Sequence, residues 1–273
     1  MEGDGLLKKG VCYVCVPGET LEERLRAARD AGYQGIELTF APSGGGPLAY
    51  DADRSRVGEV GARIRAAGLE APSLMGGGAL AGASLLDPGP EVRARGVAHL
   101  QVGLQRAAWL GADTLLIAPG QVAAEVGYDE AFDGLVAALR ALVPACEATS
   151  VGVAVENVWN RFLVSPRDMG QLVDAVGHPL VGAYFDVGNC LLWSHAEQWV
   201  RSLGARIRRV HVKDFRRSVG TGAGFCQLLD GDANYPAVMA ALRHAGYDGY
   251  LTSEVSGDIM ETSRRLDRIL AMA

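Results

Sequence analysis

The amino-acid sequence predicts a single (β/α)₈ barrel, an eight-stranded parallel TIM barrel, in which residues 1–273 form one domain. Short apolar, β-branched runs alternate with longer helical patterns, and eight of each can be counted along the chain. The short runs show little polar alternation, as is typical of parallel strands buried on both faces. A doubly wound open sheet is the weaker alternative, because Pro17-Gly18 rather than a glycine-rich phosphate loop follows the first strand.

The elements are predicted in chain order from these runs and from the signals between them. The predicted strands are Val11–Val16, Gly35–Thr39, Glu70–Leu74, Thr114–Ile117, Gly152–Glu156, Val181–Asp186, Ile207–His211 and Gly249–Glu254. Thr20 and Glu23 have the spacing of a capping box and indicate the start of the first helix. Glycines that tolerate a left-handed cap indicate helix ends at Ala31-Gly32, Ala67-Gly68 and Ala245-Gly246.

Two predicted loops are longer than a bare barrel requires. They are Ala41–Ala52 after the second strand and Gly76–Pro90 after the third strand. Loops at this end of a barrel cover active sites, so a mobile lid is one interpretation and an ordinary surface loop is the other.

Composition and charge restrict the kind of partner. Hydrophobic residues make up 49% of the chain and the net charge is −6, so no basic surface for nucleic acid or an anionic membrane is expected. The sequence shows neither a secretory signal nor an apolar run of about 18 residues that could span a bilayer. We expect a cytoplasmic protein with a small-molecule partner, and association into a homo-oligomer is left open.

The five cysteines are an odd number, which favours a reducing compartment. Cys12 and Cys15 form a C-x-x-C pattern, but no second Cys/His pair at zinc spacing accompanies them. We therefore expect buried or half-buried structural thiols at these two positions.

Four potential metal ligands stand at the ends of the last four predicted strands: Glu156, Asp186, His211 and Glu254. The C-terminal ends of neighbouring barrel strands meet at the face that carries catalysis, so these side chains are expected to converge. Two carboxylates about 4 Å apart repel by roughly 4 kcal/mol at an effective dielectric constant of 20, unless a cation lies between them. The set suits one divalent ion, Mn²⁺, Co²⁺, Mg²⁺ or Zn²⁺, and its many oxygens favour manganese.

Three segments of the C-terminal half carry a resemblance to a known family. They are Glu156–Phe162 (ENVWNRF), Phe185–Asn189 (FDVGN) and His211–Asp214 (HVKD). With these segments the sequence resembles the xylose isomerase-like TIM-barrel superfamily, in particular its ketose 3-epimerase and hydroxypyruvate isomerase-type members. The resemblance covers essentially the whole barrel and is strongest over residues 151–254. It implies an isomerase or epimerase of a keto-sugar, a sugar phosphate or a small hydroxycarbonyl compound.

The resemblance also implies roles for individual residues. In such enzymes one divalent ion, often Mn²⁺, is held by residues that match Glu156, Asp186, His211 and Glu254. The two glutamates also serve as the acid/base pair. Arg217, six residues after His211, matches an arginine that binds substrate oxygens.

Other positions bear on the substrate. Asn189 stands where sugar 3-epimerases have a substrate-contacting histidine, and Leu163 stands near the position of a further contacting glutamate. Both departures count against a free ketohexose and leave Asn189 as a candidate contact. Lys213, like Arg217, follows the seventh strand and could face a phosphate or carboxylate of the substrate; a solvated basic surface is the alternative. Glu37, at the end of the second strand, is expected to support the site or the fold.

Three rival functions remain at this point. A metal-dependent dehydratase of an inosose-like compound would start from the same metal-stabilised enediolate. An apurinic endonuclease would need additional histidine ligands, yet His99 and His244 fall in helical stretches. A metal-free binding protein is the third alternative. Between epimerase and aldose–ketose isomerase the sequence does not decide, because it supplies both glutamates but not the position of the substrate.

Overall fold

Eight parallel strands close into a barrel, which confirms the predicted fold class. The computed structural model describes residues 7–40, 47–76 and 82–272. In chain order the strands are β1 (Lys8–Cys12), β2 (Gly35–Thr39), β3 (Ser73–Met75), β4 (Thr114–Ile117), β5 (Gly152–Glu156), β6 (Val181–Asp186), β7 (Ile207–Val212), β8 (Asp214–Phe215), β9 (Phe225–Cys226) and β10 (Tyr250–Ser253). The order around the barrel is β1-β10-β7-β6-β5-β4-β3-β2, so each barrel strand has a neighbour on both sides.

The described residues form eight α-helices around the barrel. They are α1 (Leu21–Asp30), α2 (Arg54–Ala66), α3 (Pro90–Leu110), α4 (Tyr128–Thr149), α5 (Pro166–Val176), α6 (Ala196–Leu203), α7 (Tyr235–His244) and α8 (Ile259–Leu270). The capping box is confirmed, since the Thr20 side chain accepts from the Glu23 N–H and the Glu23 carboxylate accepts from the Thr20 N–H. The three glycines predicted to end helices have left-handed φ values of 79°, 78° and 70°.

The first strand departs most from its predicted position. It covers Lys8–Cys12, whereas the sequence predicts Val11–Val16, and residues 13–15 form a short 3₁₀ turn instead. The prediction was wrong because the apolar run continues beyond the strand. Tyr13 and Val16 pack in the core although the backbone there has left the sheet.

The third strand is also displaced, from Glu70–Leu74 to Ser73–Met75. Glu70 forms only an isolated bridge to Gly35. Pro72 has no backbone N–H, and the ladder with the neighbouring strand begins directly after it. The other six barrel strands agree with the prediction to within one residue at either end.

The interior of the barrel is polar towards the C-terminal ends of its strands. Glu37, Ser73, Tyr184 and His211 are all fully or almost fully buried there. Tyr184 lies two residues before Asp186 on β6, so both side chains leave the same face of the strand. The register between β6 and β7 shifts between the third and fourth residues of β6. An irregularity of this kind changes where the following side chains point, and here it lies just before Tyr184, two residues ahead of the predicted ligand Asp186.

A short antiparallel hairpin of β8 and β9 follows β7, and the sequence did not predict it. The buried Asp214 carboxylate accepts the backbone N–H groups of Phe215, Leu229 and Ala233 at 2.9–3.0 Å. These bonds tie the hairpin to the loop that follows it. The hairpin thereby brings Phe225 beside the end of β7.

The loops predicted after β2 and β3 fall partly on residues 41–46 and 77–81, which lie outside the described residues. The lid interpretation therefore stays a prediction. Within the described ranges, no helix has the length and apolar character needed to cross a membrane.

Candidate metal centre

The four predicted metal ligands meet at the C-terminal end of the barrel. One ligand atom from each of Glu156, Asp186, His211 and Glu254 lies within 4.8 Å of the others. Glu156 and Asp186 end β5 and β6, His211 is the second-last residue of β7, and Glu254 directly follows β10. Asp186 and His211 are partners in the register of β6 and β7, which sets their separation. The convergence expected from the sequence positions is present in the fold.

Two buried carboxylate oxygens of this cluster accept no hydrogen bond from the residues that the structure describes. They are Asp186 Oδ2 and Glu254 Oε2, and both atoms are buried. A buried anionic oxygen without a donor is costly unless a cation lies against it. Three carboxylates and one imidazole nitrogen are a donor set that fits a divalent ion.

The orientation of His211 also suits a ligand. Its Nδ1 lies 3.3 Å from Glu156 Oε1 and 3.4 Å from Glu254 Oε2. Its Nε2 lies 2.8 Å from Glu37 Oε2. Because the Glu37 carboxylate accepts, a proton on Nε2 satisfies this contact and leaves the Nδ1 lone pair for the cluster. That is the tautomer that binding of a metal through Nδ1 requires.

Glu37 is the centre of the hydrogen bonds behind His211. Its Oε2 accepts from His211 Nε2 and from Cys12 Sγ, which lies 3.3 Å away. Its Oε1 accepts from Ser73 Oγ at 2.6 Å and from Tyr184 OH at 2.8 Å. Burial acts to raise the pKa of Glu37, but His211 and the hydrogen bonds outweigh it and lower the pKa below its usual range. The supporting role expected for Glu37 thus has a specific geometry.

Sequence reasoning missed three of these contacts: Cys12, Ser73 and Tyr184. Cys12 was expected to be a buried structural thiol, and it is buried, but it also touches the cluster. A usable signal was present in the spacing of Tyr184, two residues before Asp186 on one strand. For the other two residues, the misplaced first and third strands hid their positions.

Lys213 joins the cluster as a cation. Its Nζ lies 2.6 Å from Glu254 Oε2 and 3.2 Å from Asp186 Oδ2, as a close ion pair rather than a directed hydrogen bond. Its side chain is only 15% exposed, which is too little for a solvated surface residue. Burial acts to lower the pKa of Lys213, but the carboxylates of Asp186, Glu254 and Glu156 raise the pKa well above its usual range.

Asp186 is fixed by a backbone hydrogen bond and lies among other charged side chains. Burial raises the pKa of Asp186 to about 7, with Glu156 and Glu254 acting in the same direction and Lys213 against them. Its Oδ1 accepts the Asn189 backbone N–H at 2.6 Å.

The side chain of Asn189 donates to the backbone carbonyl of Asn157 at 2.9 Å, and the Asn157 side chain bonds both the N–H and the carbonyl of Asp186. Asn189, predicted as a substrate contact, therefore also fixes the backbone around Asp186.

Arg217 is not part of the cluster. Its Nη2 donates to the carbonyl of Ser194 at 2.8 Å, and its backbone N–H donates to Asp232 at 2.7 Å. Its Nε is buried and has no hydrogen-bond partner among the described residues. The arginine thus lies half-buried against the loop after β6, with donor capacity left over.

Four aromatic rings form a wall beside the cluster: Trp159, Trp193, Phe215 and Phe225. The ring of Trp159 is the centre of the wall, with centroids of the other three rings 5.1–5.8 Å away. Trp193 and Phe225 are 47% and 36% exposed. Lys213 Nζ lies 5.4 Å from the centroid of the Phe225 ring, which links the wall to the carboxylates.

Comparison with solved structures supports the same architecture. A D-tagatose 3-epimerase-like protein superposes with a TM-score of 0.82, at 17% identity over 97% of this chain and 98% of that one. L-ribulose 3-epimerase gives 0.79 at 19% identity, over 97% of this chain and 94% of that one. The 3-keto-D-glucoside 4-epimerase from E. coli gives 0.78 at 16% identity, over 97% and 99% of the two chains. At these identities the likeness establishes the fold alone.

A sequence match of higher identity covers less of the chain. The 3-oxo-isoapionate decarboxylase of Pectobacterium atrosepticum is 28% identical over 117 residues, which span 41% of this chain and 42% of that protein. The family model described as xylose isomerase-like TIM barrel matches residues 25–270, and so includes all four predicted ligands. The chain therefore belongs to the xylose isomerase-like TIM-barrel family.

Proposed function

We propose that the protein is a divalent-metal-dependent isomerase or epimerase of a keto-sugar, a sugar phosphate or a small hydroxycarbonyl compound. The observation that supports this most is the convergence of four side chains at the end of the barrel used for catalysis: Glu156, Asp186, His211 and Glu254. When bound there, a divalent ion such as Mn²⁺ supplies the Lewis acidity that stabilises an enediolate.

Glu156 and Glu254 are the proposed acid/base pair. They come from β5 and from the end of β10, which lie on opposite sides of β7 in the barrel. One carboxylate takes the proton from the carbon next to the carbonyl, and the other returns a proton to the opposite face and inverts that centre. If one glutamate instead carries the proton between neighbouring carbons, the product is that of an aldose–ketose isomerase.

The remaining residues hold this pair and the substrate in place. Glu37 fixes the ring of His211, and the backbone contacts of Asn189 fix Asp186. Trp193 and Phe225 offer exposed ring faces on which the carbon skeleton of a substrate can pack. Arg217, Asn189 and Lys213 are the proposed substrate contacts, and Arg217 suits a phosphate or carboxylate because its guanidinium forms two parallel hydrogen bonds.

The test of the substrate class uses Arg217→Lys. It is expected to lower kcat/KM for an anionic keto-sugar by about 10-fold or more and to leave the metal content unchanged. Lysine keeps the positive charge but cannot form the two parallel hydrogen bonds of a guanidinium. The two properties are measured by steady-state kinetics and by elemental analysis. Equal turnover of neutral and anionic keto-sugars by the natural protein would remove the basis for an anionic substrate.

A lyase is the second candidate, and the partial match to a decarboxylase favours it. Loss of carbon dioxide from a β-keto acid leaves an enolate that is then protonated, and loss of water from a β-hydroxy ketone follows removal of the proton next to the carbonyl, which also gives an enolate. A divalent ion held by the same donor set would stabilise either enolate. A dehydratase of an inosose-like compound belongs to this alternative. Product analysis separates a lyase from an isomerase, because only a lyase changes the mass of the substrate.

The experiment that tests the proposed function is turnover in D₂O. The purified protein, treated with a chelator and restored with Mn²⁺, Co²⁺, Mg²⁺ or Zn²⁺, is incubated with a panel of keto-sugars and sugar phosphates. We expect activity only after an ion is restored, and deuterium at the carbon next to the carbonyl of the product. Complete turnover without deuterium would argue for hydride transfer instead.

A further inference from the structure

The contacts of Lys213 are unusual for a residue beside a metal centre. Its ammonium lies against Asp186 Oδ2 and Glu254 Oε2, two buried oxygens that accept no hydrogen bond from the part of the chain that the structure describes. A divalent ion held by all four ligands would need these same two carboxylates. The lysine and the ion therefore compete for one pair of anionic groups.

The packing around Lys213 leaves room for its side chain to reach the carboxylates. A Cβ atom on Gly188 would lie 2.4 Å from Lys213 Cγ, so the absence of a side chain there leaves room for the lysine stem. On another side, the Phe225 ring from the β8–β9 hairpin lies 5.4 Å from Nζ. With only 15% of its side chain exposed, the lysine is held at the cluster by packing as well as by charge.

The charge balance explains what such a lysine does. When all three are ionised, Glu156, Asp186 and Glu254 bring three negative charges to a largely buried site, and Lys213 neutralises one of them. An incoming divalent ion meets the positive ammonium at the oxygens that it must occupy. Like charges a few ångströms apart repel strongly even at the dielectric constant of a protein surface.

We propose that Lys213 is an internal counter-ion of the carboxylates of Asp186 and Glu254, which stabilises the metal-free protein and weakens its affinity for the divalent ion. This inference rests on the metal centre of the proposed function. It assigns Lys213 to the ion equilibrium, a role distinct from contact with a substrate anion. Removal of the lysine charge should therefore lower the stability of the metal-free protein and raise its affinity for the ion. Loss of packing alone would not change these two properties in opposite directions.

The test is the variant Lys213→Met, which keeps the stem and removes the charge. The matched control is Lys8→Met, which changes the net charge equally but lies at the other end of the barrel, paired with Glu70. Binding of Mn²⁺ is measured by titration calorimetry on metal-free protein, and Tm is measured with and without Mn²⁺. No substrate enters the experiment.

We expect Lys213→Met to bind Mn²⁺ at least about 10-fold more tightly than Lys8→Met, because the competing charge is gone. Without metal, its Tm is expected to fall by at least about 2 °C relative to the control, since two buried carboxylates lose their cation. If Lys213→Met does not fold, Lys213→Gln removes the same charge with a polar side chain and has the same expected outcome.

Equal or weaker Mn²⁺ binding by the Lys213 variant would overturn the inference, while binding by the natural protein would leave the metal centre standing. Failure of the natural protein and of both variants to bind any divalent ion would remove the metal centre and the inference together. A fall in both Tm and affinity would show that the lysine serves the packing of the site alone.

Discussion

The two ends of the barrel treat their charges differently. At the N-terminal end, Glu70 is paired with Lys8 at 2.9 Å and accepts the Tyr250 hydroxyl at 2.8 Å. Asp113 is paired there with Arg209. Each of these carboxylates has a basic partner and is more than half exposed, as expected for an end that serves stability.

At the C-terminal end, three carboxylates share one ammonium, and two of their buried oxygens accept no hydrogen bond from the described residues. Such an arrangement costs stability, because a buried charge without sufficient compensation is unfavourable. The same fold that pairs its acids at one end collects them at the other. The difference shows that the carboxylates at the C-terminal end are not arranged for stability alone, which agrees with the cation site proposed there.

The largest expected effect follows from replacing either member of the proposed acid/base pair. Glu156→Gln and Glu254→Gln should each lower kcat by at least about 10²-fold, because proton transfer needs a positioned carboxylate. Steady-state kinetics on a substrate found in the D₂O experiment measure this loss. Retention of full activity in either variant would contradict the acid/base role proposed for that glutamate at the C-terminal end of the barrel.

The next effect concerns Glu37, whose carboxylate accepts a hydrogen bond from the His211 ring. Glu37→Gln should weaken the affinity for a divalent ion by about 10–100-fold, because the amide no longer fixes the His211 tautomer as a carboxylate does. Ion titration of the metal-free protein measures it. Ser73→Ala, which removes one of the four donors to Glu37, is the matched variant and should have a smaller effect. Equal effects of both would point to a general loss of packing.

A dependence on pH should distinguish the clustered acids from the paired ones. The pKa of Asp186 in the protein without metal is raised to about 7, so below that pH an ion must displace a proton. Affinity for Mn²⁺ should therefore rise by up to about 10-fold for each pH unit and level off above pH 7. The stability of the metal-free protein should depend on pH in the opposite direction. The folded state holds the proton that the unfolded state has released, so Asp186 favours folding at acid pH. This contribution to stability is lost as pH rises through 7.

Comparison of Asp186→Asn with the natural protein isolates this contribution, both in Tm and in ion affinity over pH 5–8. A natural protein whose affinity for Mn²⁺ is flat over this range would contradict the raised pKa.

The smallest effect is expected at the N-terminal end. Glu70→Gln should lower the free energy of unfolding by about 0.2–1 kcal/mol, the usual contribution of an exposed ion pair. Its kcat and its affinity for the ion should stay at the natural values. Denaturant unfolding and kinetics on the same preparation test both statements, and a large loss of activity would break the distinction between the two ends.

Features that follow from the barrel topology could be predicted from the sequence, whereas features that depend on side-chain packing could not. Glu156, Asp186, His211 and Glu254 could be identified because a parallel barrel brings successive strand ends together, whatever the side-chain details. The contact of Lys213 with the carboxylates could not, since it depends on space left by Gly188 and on the unpredicted hairpin that carries Phe225.

The first strand shows a second limit. Apolar patterning does not separate a strand from a buried turn, so Cys12 was placed at the start of a strand that it in fact ends. Its contact with His211 was out of reach for the same reason.

The register of β10 has a consequence for how the protein reaches its folded state. Three ligands come from the contiguous strands β5, β6 and β7, but Glu254 follows β10, which pairs on its other side with β1, more than 230 residues away in the chain. Contacts this distant in sequence form slowly, because a long loop must close first. An ion bound by all four side chains would hold β10 to β7, and so would favour the closed barrel over intermediates in which the last strand has not docked. Folding in the presence of the ion would then end with closure of the barrel and completion of the metal centre in one step.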